Sequence, residues 1–483
     1  MVFSSPIFLF AFLPLVLALY YAVPRILKNS ILLIFSLLFY AWGESFYVTI
    51  MLASIAANYV FGMMLARLGS TRSKRWIIAL AAVFNLGLIA YFKYFNFGIE
   101  NLNVVAGWIG AQPITAGSVH LPIGISFFTF QAFSYVLDVS RGDAEAQRNP
   151  FHLGLYISLF PQLIAGPIVR YQDVADQIVH RRERFDLFAS GVRRFAIGLA
   201  KKVLVANVVA WPADVIYGLP NDQITMHLAW LGTVCYFFQI YFDFSGYSDM
   251  GIGLGRMFGF EFRENFNYPY IARSITDFWR RWHISLSTWF RDYLYIPLGG
   301  NRARPWRVYA NLCIVFLLCG LWHGATWNFV VWGAFHGVLL VFERVLAKRI
   351  PLRVPALLGH LYVILMVMVG WVLFRAVDLG HAVVMLKAMA GMGPVGDGVV
   401  TASYFLNNEV KLVLALAIPC SIPIISMVRE KVLLAAKSGD APARPVLAIT
   451  YRVAAFAGAF ALLVASCIQL SAQTHNPFIY FRF

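Results

Sequence analysis

The chain has 483 residues, of which 60% are hydrophobic and only 13% charged, and its mean hydropathy is +0.70. That composition argues against a soluble globular protein and for a polytopic, all-α membrane protein forming one domain over residues 1–483. Its 39 Lys and Arg against 23 Asp and Glu give +16, an excess that belongs in cytoplasmic loops and argues orientation, not nucleic-acid binding.

The first apolar run, MVFSSPIFLFAFLPLVLALYY, has no basic residue before it; the first cations, Arg25 and Lys28, follow. It reads as a first span with the N-terminus outside rather than as a cleavable signal. ILLIFSLLFYAW then leads to Glu44, and TIMLASIAANYVFGMML leads to Arg67, Arg72, Lys74 and Arg75, so basic loops stay inside. WIIALAAVFNLGLIAYF returns outward to a charge-poor connection ending near His120, and LPIGISFFTFQAFSYVLDV reads as the next span. FHLGLYISLFPQLIAGPIV carries Pro161, Gly166 and Pro167, which interrupt a helix. A full crossing there would put the basic stretch 170–202 outside, so 151–169 is expected to be re-entrant. In all, ten to twelve crossings are expected. No internal repeat is visible, which weighs against an inverted-repeat transporter.

The window from Phe238 to Gly337 concentrates the ionisable residues, among them Asp243, Asp249, Asp277, Asp292, His283, His323, His336 and many arginines. Such groups are costly in a bilayer and mark a functional site by default. Ser274 with Asp277 three residues on predicts a helix start. On one helical wheel from there, Trp279, Trp282, His283, Leu286, Trp289, Phe290 and Tyr293 share a face. By itself that stretch reads as an amphipathic anchor with a packed histidine.

The hairpin around His323 is sharper. Its arms are flanked by Arg302, Arg304 and Arg307 on one side and Arg344, Lys348 and Arg349 on the other, which predicts both feet in the cytoplasm. His323 lies about 16 residues from Arg307, about 24 Å along a helix. An imidazole that deep needs a partner or an aqueous cavity, and in its neutral form it can act as a base. Gly320 and Gly324 leave room for a substrate beside it. Cys319, one turn earlier, raises a Cys–His dyad, although a buried cysteine is more often inert. The five cysteines have neither disulfide nor metal-ligand spacing, and no metal or bound cofactor is expected.

The motifs DFSGYSDMGIGLG, ENFNYPY, SITDFWRRWHISLSTWFRDYLYIPLGGNR and GLWHGATWNF closely resemble the membrane-bound O-acyltransferase family, in particular its bacterial branch concerned with alginate O-acetylation. LLFYAWGE, YFKYFNFG and LFPQLIAGPIVR extend the likeness over nearly the whole chain. The resemblance implies an annular helical fold with re-entrant and interfacial helices and a transmembrane tunnel, its catalytic core near 121–345. The family's essential histidine matches His323, and its second recurring polar position matches His283. Asp243, Asn265, Trp322 and Asn328 are the expected substrate-binding residues.

The resemblance also implies a function: acetyl transfer from cytoplasmic acetyl-CoA, across the bacterial inner membrane, to an exported polysaccharide. Alginate is the first choice, with a periplasmic acetyltransferase-like partner. Cellulose and peptidoglycan are alternative acceptors, and a polymer or lipid transporter is the rival class. His323 would be the general base, with His283 beside Asp243 or Asn265 positioning it. The basic stretches 170–202 and 301–307 could hold the donor's phosphates, though topology alone explains most of those cations.

Overall fold

A computed structural model describes residues 1–68, 70–164, 166–349, 354–394, 400–435 and 444–472. Among them the chain is helical and shows no strand. The first helices are α1 (Leu13–Ala22), α2 (Arg25–Ala41), α3 (Val48–Arg67) and the 38-residue α4 (Thr71–Trp108). Then come α5 (Ile125–Arg141), α6 (Pro150–Ser158), α7 (Phe160–Leu163) and α8 (Tyr171–His180). A π turn over Lys201–Ala206 joins α9 (Phe185–Ala200) to α10 (Asn207–Ile216), and α11 (Met226–Met257) is 32 residues long. The centre continues with α12 (Ile275–Arg281), α13 (Ile284–Phe290), α14 (Pro305–His323) and α15 (Trp327–Arg349). The remainder is α16 (Ala356–Arg375), α17 (Leu379–Met389), α18 (Ala402–Phe405), α19 (Asn408–Cys420), α20 (Ile424–Ala435) and α21 (Arg444–Ala472).

Seven of these helical runs are long and apolar enough to cross a bilayer, and an eighth if the bent pair α19 and α20 counts as one. This is a multi-pass membrane protein. The count falls short of ten to twelve for physical reasons. The α2 and α5 helices are 17 residues each, and α1 extends a π turn into one short apolar rod. Length does not limit α11, whose polar residues dilute its hydropathy.

The segment 151–169 does not form a continuous helix. Nine-residue α6 ends at Ser158, and the ψ of 111° at Leu159 breaks the ladder before four-residue α7. The last six residues of α6 and all of α7 are buried, so the backbone at the interruption is shielded by protein rather than by lipid. This matches the expectation drawn from Pro161 and Pro167.

The motif DFSGYSDMGIGLG turns out to be a packing device. A Cβ at Gly246 would sit 2.7 Å from the Gly198 carbonyl oxygen, and one at Gly253 would sit 2.7 Å from that of Gly191. Two glycines per helix, seven residues apart, thus let α9 and α11 approach backbone to backbone, as small residues do between membrane helices. Polar groups bind the same seam. Asp249 pairs with Arg194 and Lys201, each at 2.7 Å, and Asp243 pairs with Lys202 at 2.9 Å.

Two apolar clusters flank α5. Phe127 and Phe130 join the one containing α12 to α16, while Ile125, Phe128 and Tyr135 join the one containing α1 to α3. The candidate site lies against the first turn of α5.

Candidate active site

The α14–α15 hairpin places His323. Three residues separate the two helices, which therefore run back along each other. Gly320 and Gly333 permit the contact: a Cβ on Gly320 would lie 2.1 Å from the Phe329 carbonyl oxygen, and one on Gly333 would lie 2.3 Å from that of Phe316. The two feet meet at the other end. Lys348 Nζ lies 5.9 Å from the Tyr309 ring centroid, and Arg344 donates to Asn301 at 2.9 Å. The arginine-flanked ends of the hairpin are therefore on the same side, and His323 is the last residue of α14, at the far end.

There the His323 ring is enclosed by aromatic edges. Its centroid is 4.9 Å from Trp322, 5.2 Å from Trp332 and 5.2 Å from Phe374. One side stays open to a cavity of about 390 Å³ lined by Lys93, His120, Gly124, Ser126, Phe127, Ile164, Trp322 and His323, among others. It reaches the surface beside His120, whose side chain is 59% exposed. The Trp322 indole N–H is buried and has no acceptor among the described residues.

His283 reaches the same indole from another element. The single helix expected from Ser274 onward is in fact two. Ser274 does cap its start, accepting from Asp277 N at 3.0 Å. But α12 stops at Arg281, and His283 takes the left-handed conformation, φ 45° and ψ 53°, before α13. The kink turns the imidazole inward rather than leaving it on one aromatic stripe. It is fully buried, edge-on to Phe244 at 4.6 Å and 6.0 Å from Trp322. Burial lowers its pKa well below the ordinary imidazole range, so the ring is neutral. Trp322 thus bridges the two histidines.

Of the other expected residues, Asn265 is at His283, with Oδ1 3.2 Å from Nδ1. Asp243 forms the buried ion pair with Lys202 described above. Asn328 donates to the Ala376 carbonyl at 2.8 Å, tying α15 to the end of α16. Cys319 is a buried free thiol. Most cations of 170–202 already have partners: Arg170 holds Asp173 and Asp292, and Arg181 donates to the Phe258 carbonyl and lies over Phe260. Arg302, Arg304 and Arg307 remain exposed.

The model of the MBOAT, membrane-bound O-acyltransferase family, matches residues 116–376, which include both histidines and most of the cavity wall. The chain belongs to the membrane-bound O-acyltransferase family. As an O-acyltransferase it is similar along its whole length to a probable alginate O-acetylase AlgI of Azotobacter vinelandii, 43% identical over 509 residues with 100% of each chain covered. It is 48% identical to the protein of that name in Pseudomonas aeruginosa, over 81% of this chain and 75% of the relative. A peptidoglycan O-acetyltransferase of Helicobacter pylori is 36% identical over 84% of both chains.

Two residues of this acyltransferase escaped the sequence reading. Lys93 Nζ donates to the carbonyl oxygens of Trp322 and His323, at 2.5 and 3.1 Å, and the Tyr94 hydroxyl donates to that of Leu321 at 2.5 Å. Together they satisfy the carbonyls that the C-terminal turn of α14 leaves over. A lysine amid YFKYFNFG, deep in an apolar run, was the available signal.

Proposed function

We propose that this O-acyltransferase takes an acetyl group from acetyl-CoA on the cytoplasmic side of the bacterial inner membrane and passes it to the acceptor side for O-acetylation of an exported polysaccharide. Alginate is the first acceptor to test, reached through a periplasmic partner enzyme, and the N-terminus is periplasmic. The observation that carries this reading is the position of His323, on the wall of a 390 Å³ cavity and at the opposite end of α14 from the arginine-flanked feet. Donor chemistry on one side and acceptor entry on the other require a base at such a place.

In the transfer, the acceptor hydroxyl gives its proton to the His323 imidazole as its oxygen bonds to the acetyl carbon. The tetrahedral intermediate collapses, the carbon–sulfur bond breaks, and the departing CoA sulfur takes the proton back. His283, fixed by Asn265, packs against Trp322 and positions it. Trp322, on the cavity wall, contacts the substrate. Arg302, Arg304 and Arg307, exposed beside the start of α14, meet the donor's phosphates. The names of the alginate-linked relatives support the alginate reading, and that of the Helicobacter relative keeps peptidoglycan as the second acceptor.

The test is transfer of label from radiolabelled acetyl-CoA by the enzyme in proteoliposomes, supplied with periplasmic extract and alginate oligosaccharides. Label on the oligosaccharides is expected. Label appearing only on peptidoglycan fragments would reassign the acceptor, and uptake without any transfer would favour a transporter.

A further inference from the structure

We propose that Lys93 is a further catalytic residue of this site, the donor that stabilises the acyl oxygen when it becomes negatively charged. Lys93 projects from the middle of a 38-residue apolar helix, where a cation is costly and rarely kept without a role. Two of its bonds go to the Trp322 and His323 carbonyls, at the negative end of α14. An ammonium has three N–H donors, so one remains beyond those two carbonyls. Lys93 also lines the same cavity as His323, which places that donor beside the space the reacting group would enter.

Capping alone does not call for a charge here. The neighbouring Leu321 carbonyl is satisfied by the neutral hydroxyl of Tyr94, and Tyr94 is absent from the cavity lining. As the acceptor oxygen attacks the acetyl carbon and His323 takes the hydroxyl proton, the carbonyl electron pair moves onto oxygen. The Lys93 N–H bonds that oxyanion until the carbon–sulfur bond breaks and the electron pair returns.

This inference rests on His323 acting as the base toward an acyl thioester. The experiment measures kcat and KM for acetyl-CoA in the proteoliposome assay, for wild type, Lys93→Met, Lys93→Arg and Tyr94→Phe. Lys93→Met is expected to lower kcat about 10²–10³-fold with KM for acetyl-CoA within about threefold. Lys93→Arg should recover about tenfold over Met, and Tyr94→Phe should lose less than about tenfold, since it removes only a cap. Equal losses in Lys93→Met and Tyr94→Phe would reduce Lys93 to a cap and overturn the proposal, as would a Lys93→Met defect confined to KM. If the Met variant does not accumulate in membranes, Lys93→Leu, which likewise removes every donor, replaces it under the same expectation. Failure of the wild type to transfer any acetyl would reject the donor reading itself, whereas a fast wild type with an equally fast Lys93→Met rejects Lys93 alone.

Discussion

Asn265 Oδ1 lies 3.2 Å from His283 Nδ1, and the same oxygen accepts from Ser285 N at 3.1 Å and Ser285 Oγ at 2.9 Å. Because the Ser285 backbone N–H can only donate, the amide oxygen must face this cluster. His283 Nδ1 then carries its proton and Nε2 carries the lone pair. Asn265→Ala removes the acceptor and releases the tautomer. We expect acetyl transfer to fall about 10–100-fold and stability by about 1–3 kcal/mol, the cost of leaving buried donors unpaired. A variant that melts normally and turns over at the wild-type rate would show that the tautomer does not matter.

The backbone at His283 allows its structural and chemical roles to be separated. A non-glycine residue at φ 45° pays about 1–2 kcal/mol that glycine avoids. His283→Gly should therefore be more stable than His283→Ala by about 1 kcal/mol, although both lose the imidazole and both should be impaired. Melting temperatures in detergent check the order, and the reverse order would mean that the kink is unstrained.

Burial of His283 also has a pH signature. Its pKa is pushed down to about 3 in the folded protein, while an unfolded histidine titrates near about 6.5. Between those values the unfolded chain binds the extra proton, so stability should rise with pH across that window and be lost as pH falls below about 6.5. His283→Gln should flatten the slope of melting temperature against pH; an unaltered slope would place the linkage elsewhere.

The hairpin contact predicts a severe effect from one methyl group. Gly320→Ala would put a carbon 2.1 Å from a backbone oxygen, which cannot be relieved by rotating a side chain. α14 and α15 must part, moving His323 away from Trp332 and Phe374. A loss of more than about 2 kcal/mol and of nearly all activity is expected. Wild-type yield and rate in Gly320→Ala would contradict the packing.

How much of this could be read in the sequence differs from residue to residue. The cationic flanks announced the hairpin, and Pro161 with Pro167 announced the interrupted segment, because charge placement and proline geometry act locally. The break at Trp282 and His283 was not legible. No glycine or proline marks it, and it exists because Asn265, eighteen residues away, and a surrounding shell of aromatic rings hold the turn. Lys93 stood out as a cation in an apolar run, but that it and Tyr94 belong to this site was not legible, since they meet α14 across more than 200 positions of chain. DFSGYSDMGIGLG, singled out for its ionisable residues, also builds the seam between α9 and α11. Glycine and aspartate serve close packing and buried ion pairing as readily as catalysis. The final stretch NPFIYFRF, whose aromatic and polar sequence suits packing at an interface, lies outside the described residues.

The most direct test of the account is acetyl transfer by His323→Ala, measured together with its yield and melting temperature in detergent. The side chain ends α14 beside a cavity, so its removal should cost only about 1–3 kcal/mol, and the protein should insert and melt as a folded species. Transfer from labelled acetyl-CoA should fall at least about 10²–10⁴-fold, the usual contribution of a positioned base. A well-folded His323→Ala enzyme that acetylates at the wild-type rate would contradict the catalytic assignment.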